Sequence, residues 1–318
     1  MIILEATPAN IAAAARRLRS GGLVAMPTET VYGLAADATN AGAVAAIFAS
    51  KGRPRFNPLI AHVPSVEAVA PHAVMTATAS RLARAFWPGP LTLVLARAEG
   101  SPVCDLVTAG LPTIAMRVPS HPVARALLEA ADVPVAAPSA NLSGRVSPTL
   151  AAHVAADLAD CDVLVLDGGA AEAGLESTVV DASGDAALVL RLGAIARADL
   201  EHVLGHPIGV ATGEPGQPSS PGMLARHYAP ATPLRLNARA PEPGEAWLCF
   251  GAIGPRSWQP GVNLSPAADL VEAAANLFAA LRALDAAGAK AIAVAPIPAE
   301  GLGEAINDRL HRASLGRA

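Results

Sequence analysis

The residues of this chain with most chemistry in them lie in four polar segments, each following an apolar run. Residues 27–34, PTETVYGL, carry two threonine hydroxyls, the Glu29 carboxylate and the Tyr32 phenol. Residues 51–59, KGRPRFNPL, place Lys51, Arg53 and Arg55 in a loop shaped by glycine and proline. Such a loop can wrap phosphate oxygens, arginine through paired hydrogen bonds and lysine as a point charge; the same spacing also suits a solvated basic turn. Residues 138–144, PSANLSG, with SPT at 147–149, bring small hydroxyl and amide groups that can approach a phosphate or ribose closely, and that ordinary turns use too. Residues 176–181, ESTVVD, enter a strand, and Arg191 ends the next one. Loops at strand ends are where α/β sheets place ligand groups.

Two single residues join these segments. Arg117 closes the apolar run TIAMR, where a charge needs a partner, either an internal ion pair or a ligand carboxylate. His62, in IAHV, suits a general base, a ligand contact or a hydrogen-bonded structural role. His121, His153, His202, His206 and His311 lack any organised context. Only two of the 23 basic residues are lysines, Lys51 and Lys290, so a lysine kept within the basic loop points to a requirement for an ammonium group. Phosphate-loop, dinucleotide-fold, zinc-protease and nucleophile-elbow patterns are all absent.

Composition limits what these groups can serve. The chain has 318 residues, 52% hydrophobic and 16% charged, which fits a folded two-domain protein and argues against disorder. Apolar runs are broken by Pro, Ser, Asn and Gly well before the ~18 residues of a membrane span. The opening residues, with Glu5 early and Arg16, Arg17 and Arg19 after the apolar run, do not read as a signal peptide. Cys104, Cys161 and Cys249 are isolated, so neither a disulfide framework nor a zinc site is expected, and a reducing cytoplasm fits. A net charge of −4 argues against a dominant nucleic-acid surface.

The elements that must position these groups follow from periodicity. Thr7-Pro8 reads as an N-cap and first helical turn, and apolar residues at 11, 14, 15 and 18 continue that helix to Gly21 and Gly22. Strands are predicted at 23–26, 59–63, 91–95, 114–118, 133–137 and 163–166, with helices at 42–50 and 123–131. Their alternation predicts an α/β sheet, and some connections are too short for a helical crossover, so the sheet should be mixed. Residues 205–233 are rich in Gly, Pro and Ser and read as a linker. Beyond it, strands at 247–250 and 291–294 and helices at 267–286 and 303–311 predict a second, smaller α/β domain.

Taken in order, PTETVYGL, KGRPRFNPL with HV at 62–63, PTIAMRVP, PSANLSG with SPT, ESTVVD and RLG resemble the motifs of the YrdC-like family. SPGMLARHYAP at 220–230 and GLGEAINDRL at 301–310 are similar to those of its two-domain threonylcarbamoyl-AMP synthase branch. The resemblance implies a twisted mixed sheet with flanking helices and a concave catalytic cavity over residues 1–207. A linker serving as lid over 208–232 and a small Rossmann-like domain over 233–318 follow. It also implies a nucleotidyltransferase that condenses L-threonine, bicarbonate and ATP to L-threonylcarbamoyladenylate and pyrophosphate. Partner proteins would then use this product to modify a tRNA adenosine next to the anticodon.

By the same resemblance, threonine would meet Thr30, Tyr32, His62, Arg117, the backbone at Ala137 and Ser177. ATP would meet Arg53, Asn57, Thr113, Ser139, Asn141, Ser147, Arg191 and Tyr228, with Lys51 and Arg53 catalytic at the phosphates. Mg²⁺ would accompany the triphosphate without a protein-built metal cage. Leu224 and Ala225 stand where the family commonly has a lysine and an aromatic or histidine, which leaves Tyr228 as the lid's expected contact. Two other readings compete: an RNA-binding module using Lys51, Arg53 and Arg55, which few aromatics and an acidic balance disfavour, and a hydrolase with Ser139 as nucleophile, which lacks a convincing base.

Overall fold

The computed structural model describes residues 1–211, 227–252 and 258–316. Leu224 and Ala225, in the expected lid, lie outside the described residues. The first domain runs β1 (Ile2–Glu5), α1 (Pro8–Arg19), β2 (Leu23–Met26), β3 (Gly33–Asp37), α2 (Ala41–Lys51), β4 (Ile60–His62), β5 (Ala73–Val74), α3 (Ala77–Phe86), β6 (Leu91–Arg97), α4 (Asp105–Thr108), β7 (Thr113–Arg117) and α5 (Pro122–Ala131). It continues through β8 (Val135–Ala136), α6 (Ala151–Leu158), β9 (Val163–Asp167), β10 (Thr178–Asp181), β11 (Leu188–Arg191), α7 (Arg197–Leu204) and β12 (Gly209–Val210). The second comprises β13 (Leu234–Arg235), β14 (Glu245–Cys249), β15 (Gly261–Asn263), α8 (Leu270–Ala286), β16 (Ala291–Val294) and α9 (Leu302–Ser314).

Local chemistry sets these boundaries. Thr7 caps α1 by accepting from the Asn10 amide at 3.3 Å, with Pro8 in the first turn. The strand predicted at 133–137 shortens to Val135–Ala136 because Pro134 and Pro138, which lack an amide donor, bound it. Helices α3, α4, α6 and α7 add to the predicted ones. The linker starts later than position 208, since Gly209 and Val210 pair with Leu188 and Val189 as an edge strand.

The first domain's sheet is mixed, in the order β1-β9-β2-β3-β8-β4-β7-β6-β10-β11-β12, with β5 beside β6. Its register decides which side chains meet. β4 and β7 run parallel with Ile60 opposite Ala115, Ala61 opposite Met116 and His62 opposite Arg117. Because side chains alternate, Ala61 and Met116 face the main core with Leu93 and Leu95, while His62 and Arg117 share the other face. Part of that second face packs under α1 and α5, but around β4, β7, β10 and β11 it holds a small apolar group, Ile60, Val94, Ala115, Val179 and Leu190, and so forms the floor of a cavity.

The second domain is a parallel sheet in the order β13-β16-β14-β15, with α8 and α9 packed together on it. Its core does not end at the domain boundary. Val31, Val146, Leu175 and Tyr228 belong to the same apolar cluster as Leu277, Phe278, Leu281 and Ile306. Gly174, with φ of +66°, lies so close to α8 that an added Cβ would come within 2.4 Å of the Ala275 carbonyl oxygen. Gly174→Ala is therefore expected to destabilise the protein by about 1–3 kcal/mol, through strain and forced separation of the domains. Urea denaturation measures this; unchanged stability would show that the contact is not tight.

Candidate active site

The cavity on the open face of the first sheet is lined by Thr30, Arg53, His62, Arg117, Ala137, Ser139, Ser177, Arg191 and Tyr228, all expected from the sequence. Val31, Ile60, Pro138, Glu176 and His227 complete the wall and were not among the expected contacts. The residues arrive from β4, β7 and β11, from the loops after β2, α2, β8 and β9, and from the segment before β13. Close approach of one pair of segments is enforced by Gly193: a Cβ there would meet the Glu176 carbonyl oxygen at 2.4 Å and the Thr178 amide nitrogen at 2.5 Å. This proximity places Arg191 on Ser177, with Nη2 donating to the Ser177 carbonyl at 2.8 Å and to its hydroxyl at 3.1 Å. Thr92 shares the Ser177 hydroxyl at 2.7 Å.

Charge dominates the site. Arg53, Arg117 and Arg191 are all less than a tenth exposed. Burial, followed by the repulsion of Arg191, brings Arg53 down to about 10, and burial likewise lowers Arg191. Arg117 donates to Glu29 Oε1 at 2.7 Å, leaving Glu29 Oε2 buried without a protein partner. Burial alone would raise the Glu29 carboxyl, but the guanidinium outweighs it and holds the group below its ordinary value. His62 lies beside this pair, and burial, reinforced by Arg117, pushes its imidazole down to about 3. Its Nδ1 is 3.2 Å from the Ile60 carbonyl, a group that can only accept, and the Val135 backbone also bonds the ring, so the neutral imidazole has acceptors for its one proton. His62 is thus a neutral hydrogen-bonding group rather than a cation or a strong base.

Six expected residues do not line this cavity, and their positions are informative. Tyr32, expected near threonine, is instead fully buried with its hydroxyl donating to the Gly169 carbonyl at 2.7 Å. The reason is its place at the tight entry to β3, where the side chain turns into the core. Lys51 is also sealed: its ammonium donates to the Ser139 carbonyl at 2.5 Å and to the Asn141 carbonyl. It therefore shapes the 139–141 loop, and burial together with Arg53 lowers its pKa well below the lysine range. Ser147 stands behind the wall, donating to Glu176 Oε1 at 2.5 Å. Thr113 opens β7, four positions before Arg117. Asn57 is fully buried with neither side-chain amide atom partnered, and Asn141 Oδ1 is likewise unsatisfied.

Tyr228, the contact expected from the lid, stands in the wall. Its backbone adopts φ of +64°, which costs about 1–2 kcal/mol in a residue with a side chain. The ring is offset by packing, stacked on Phe278 at 5.6 Å and edge-on to His227 at 4.0 Å. Its hydroxyl is buried and has no protein partner.

Among the described residues no group of three or more His, Cys, Asp or Glu side chains could hold a metal. The two carboxylates at the cavity, Glu29 and Glu176, are each bound to an arginine. The donor set accordingly does not fit a protein-held divalent cation. No helix among the described residues is long and apolar enough to cross a membrane.

The Arg117–Glu29 pair also sets a stability expectation. Removing Arg117 strands a buried carboxylate, so Arg117→Ala is expected to cost about 3–5 kcal/mol as well as function, and does not leave the fold untouched. In the native protein the depressed Glu29 contributes stability above about pH 4.3 and loses it as acid titrates the group. In Arg117→Ala burial raises Glu29 instead, so the variant's deficit should shrink as pH falls from 8 to 5. Denaturation at the two pH values measures this, and a pH-independent deficit would contradict it.

Residues 16–193 match the Sua5/YciO/YrdC family, described as "Telomere recombination", and residues 195–314 match the family "Threonylcarbamoyl-AMP synthase, C-terminal domain". The threonylcarbamoyl-AMP synthase of Pyrococcus abyssi is 40% identical over 96% of this chain and 94% of its own. That of Bacillus subtilis is 40% identical over 99% and 95%, respectively. The crystal structure of P. abyssi Sua5 complexed with L-threonine superposes with a TM-score of 0.87 at 36% identity, covering 98% of this chain and 96% of that one. The chain belongs to the Sua5/YciO/YrdC family and carries, after that domain, the C-terminal domain of threonylcarbamoyl-AMP synthases.

Proposed function

We propose that this chain is a threonylcarbamoyl-AMP synthase, an enzyme that condenses L-threonine, bicarbonate and ATP into L-threonylcarbamoyladenylate and pyrophosphate. The observation that carries the reading is the cluster of Arg53, Arg117 and Arg191, buried around one cavity beside small hydroxyl residues. Burying cations is costly unless anions meet them, and an amino-acid carboxylate with a triphosphate supplies anions at two places. The P. abyssi Sua5 structure was solved with L-threonine, and both full-length relatives carry the synthase name, which supports the same substrate here.

In this reading Arg117 holds the threonine carboxylate, with Thr30, neutral His62 and Ser177 as hydrogen-bonding neighbours. The deprotonated threonine amine attacks the carbon of bicarbonate, a C–N bond forms, and water leaves, giving a carbamate. A carbamate oxygen then attacks the α-phosphorus of ATP. The bond from that phosphorus to the β-phosphate bridging oxygen breaks, and pyrophosphate leaves. Arg53 and Arg191 counter the charge that builds on the phosphates, while the 139–141 loop, pinned by Lys51, supplies Ser139. Tyr228, which lines the cavity with a buried hydroxyl that lacks a protein partner, is suited to a partner brought by the nucleotide. Magnesium enters on the nucleotide, as MgATP, rather than in a protein-built site.

The product is a mixed anhydride prone to hydrolysis, and the burial of His227 and Tyr228 suits a cavity that excludes water. Downstream proteins that transfer the threonylcarbamoyl group to tRNA adenosine would consume it. An RNA-binding role for the basic loop is not favoured. Lys51 and Arg53 are buried and only Arg55 of the three is exposed.

With ATP and isotopically labelled bicarbonate, pyrophosphate release is expected to require threonine, and the label to appear in an adenylate. Threonine-independent release, or none, would refute the synthase reading. Arg53→Ala should lower adenylate formation at least about hundredfold while the protein remains folded; retained activity would remove Arg53 from the phosphate site.

A further inference from the structure

The buried arginine between the two domains, Arg309 on α9, is not part of the cavity wall, yet two of its neighbours, Glu176 and Tyr228, are. The side chain has no solvent exposure. Its Nε donates to Glu176 Oε2 at 3.0 Å, its Nη2 to the Leu192 carbonyl at 2.7 Å and its Nη1 to Asp308 at 2.5 Å. Its guanidinium carbon lies 4.9 Å from the centre of the Tyr228 ring. Glu176 itself lines the cavity, and its other oxygen accepts from Ser147 at 2.5 Å.

A carboxylate in the wall of a cavity that takes a triphosphate is a liability, because like charges in a dry site repel strongly. We propose that Arg309 is a positioning residue of the active site, contributed by the second domain, which cancels the charge of Glu176 so that the wall accepts an anionic nucleotide. This rests on the nucleotide reading above. The groups facing Glu176 are Arg309 from α9, Arg191 from β11 and the Ser147 hydroxyl, with Tyr228 and Asp308 nearby. Burial alone would raise the Glu176 carboxyl, and Arg309 and then Arg191 hold it in the ionised form. Without Arg309, a Glu176 that stays ionised either keeps an uncompensated charge in the wall or draws Arg191 away from the nucleotide. Both outcomes weaken ATP binding.

Arg309 has help in holding this region. Arg282 on α8 donates to the Val146 carbonyl and reaches Asp157 on α6 at 2.6 Å, fixing the segment that carries Ser147. Asp285, also on α8, accepts from the amides of Ala231 and Thr232 at 3.0 and 2.8 Å, just after Tyr228. The second domain thereby grips both sequences that flank Glu176 in space.

The test is ATP affinity by calorimetry, with neither threonine nor bicarbonate present, in the full chain and in Arg309→Met, Glu176→Gln and the double variant. Arg309→Met is expected to raise the Kd for ATP at least about tenfold. The double variant, in which no charge needs cancelling, should return it to within about threefold of wild type. Equal affinity in wild type and Arg309→Met would overturn the proposal, leaving a purely structural ion pair. A double variant as weak as Arg309→Met would also overturn it, because Arg309 would then matter for something other than the Glu176 charge. If Arg309→Met fails to fold, the double variant decides alone: near-wild-type affinity upholds the proposal, and a tenfold loss or failure to fold overturns it. Failure of the wild type to bind ATP would instead strike the synthase reading itself.

Discussion

Gathering buried positive charge around one cavity is the constraint on which the rest of this structure depends. Arg53, Arg117, Arg191 and Arg309 are each nine-tenths or more buried, with Lys51 sealed behind the 139–141 loop, against two neighbouring buried carboxylates, Glu29 and Glu176. Each cation must be held by carbonyls or carboxylates in the free protein and still leave the cavity as a whole short of negative charge. The sheet register that sets Arg117 beside His62 and the close packing at Gly193 both serve that end. Substrates that arrive as a carboxylate and a polyphosphate complete the electrostatics.

The same constraint ties the second domain to the cavity. A cavity wall containing Glu176 and the strained Tyr228 backbone is stabilised from behind, by Arg309 and by Phe278 and its neighbours in the second core. One apolar cluster spans both domains, so the second is part of the active site's scaffold rather than an appendage. His227 and Tyr228, from the segment expected to serve as a lid, stand in this wall with side chains buried among the cavity cations.

Much of this was legible in the sequence, for a physical reason. Ligand-handling groups cluster in contiguous polar segments at strand ends, so Thr30, Arg53, Arg117, Ser139, Ser177 and Arg191 stood out against an apolar background. The alternation of short apolar runs and helices likewise revealed an α/β fold with a mixed sheet. Harder to read was where a polar side chain points once its segment turns. Tyr32 faces the core and Lys51 faces backbone carbonyls, although each sits one or two positions from a residue that does line the cavity. Arg309 was missed because a cation near a helix end resembles a solvated one. A signal was available: Ala305, Ile306, Arg309, Leu310 and Ala313 fall at helical spacing on one stripe, and all five are buried. A charge on an apolar stripe calls for a buried partner, and that partner lay in the ESTVVD segment.

The central claim is that this cavity joins threonine, a one-carbon unit and AMP. Mass spectrometry of the small molecules retained by the protein after mixing with ATP, bicarbonate and threonine addresses it most directly. The expected species is L-threonylcarbamoyladenylate, heavier by one mass unit with ¹³C-bicarbonate. Recovery of only ATP and free threonine, or of an adenylate lacking the bicarbonate carbon, would contradict the account.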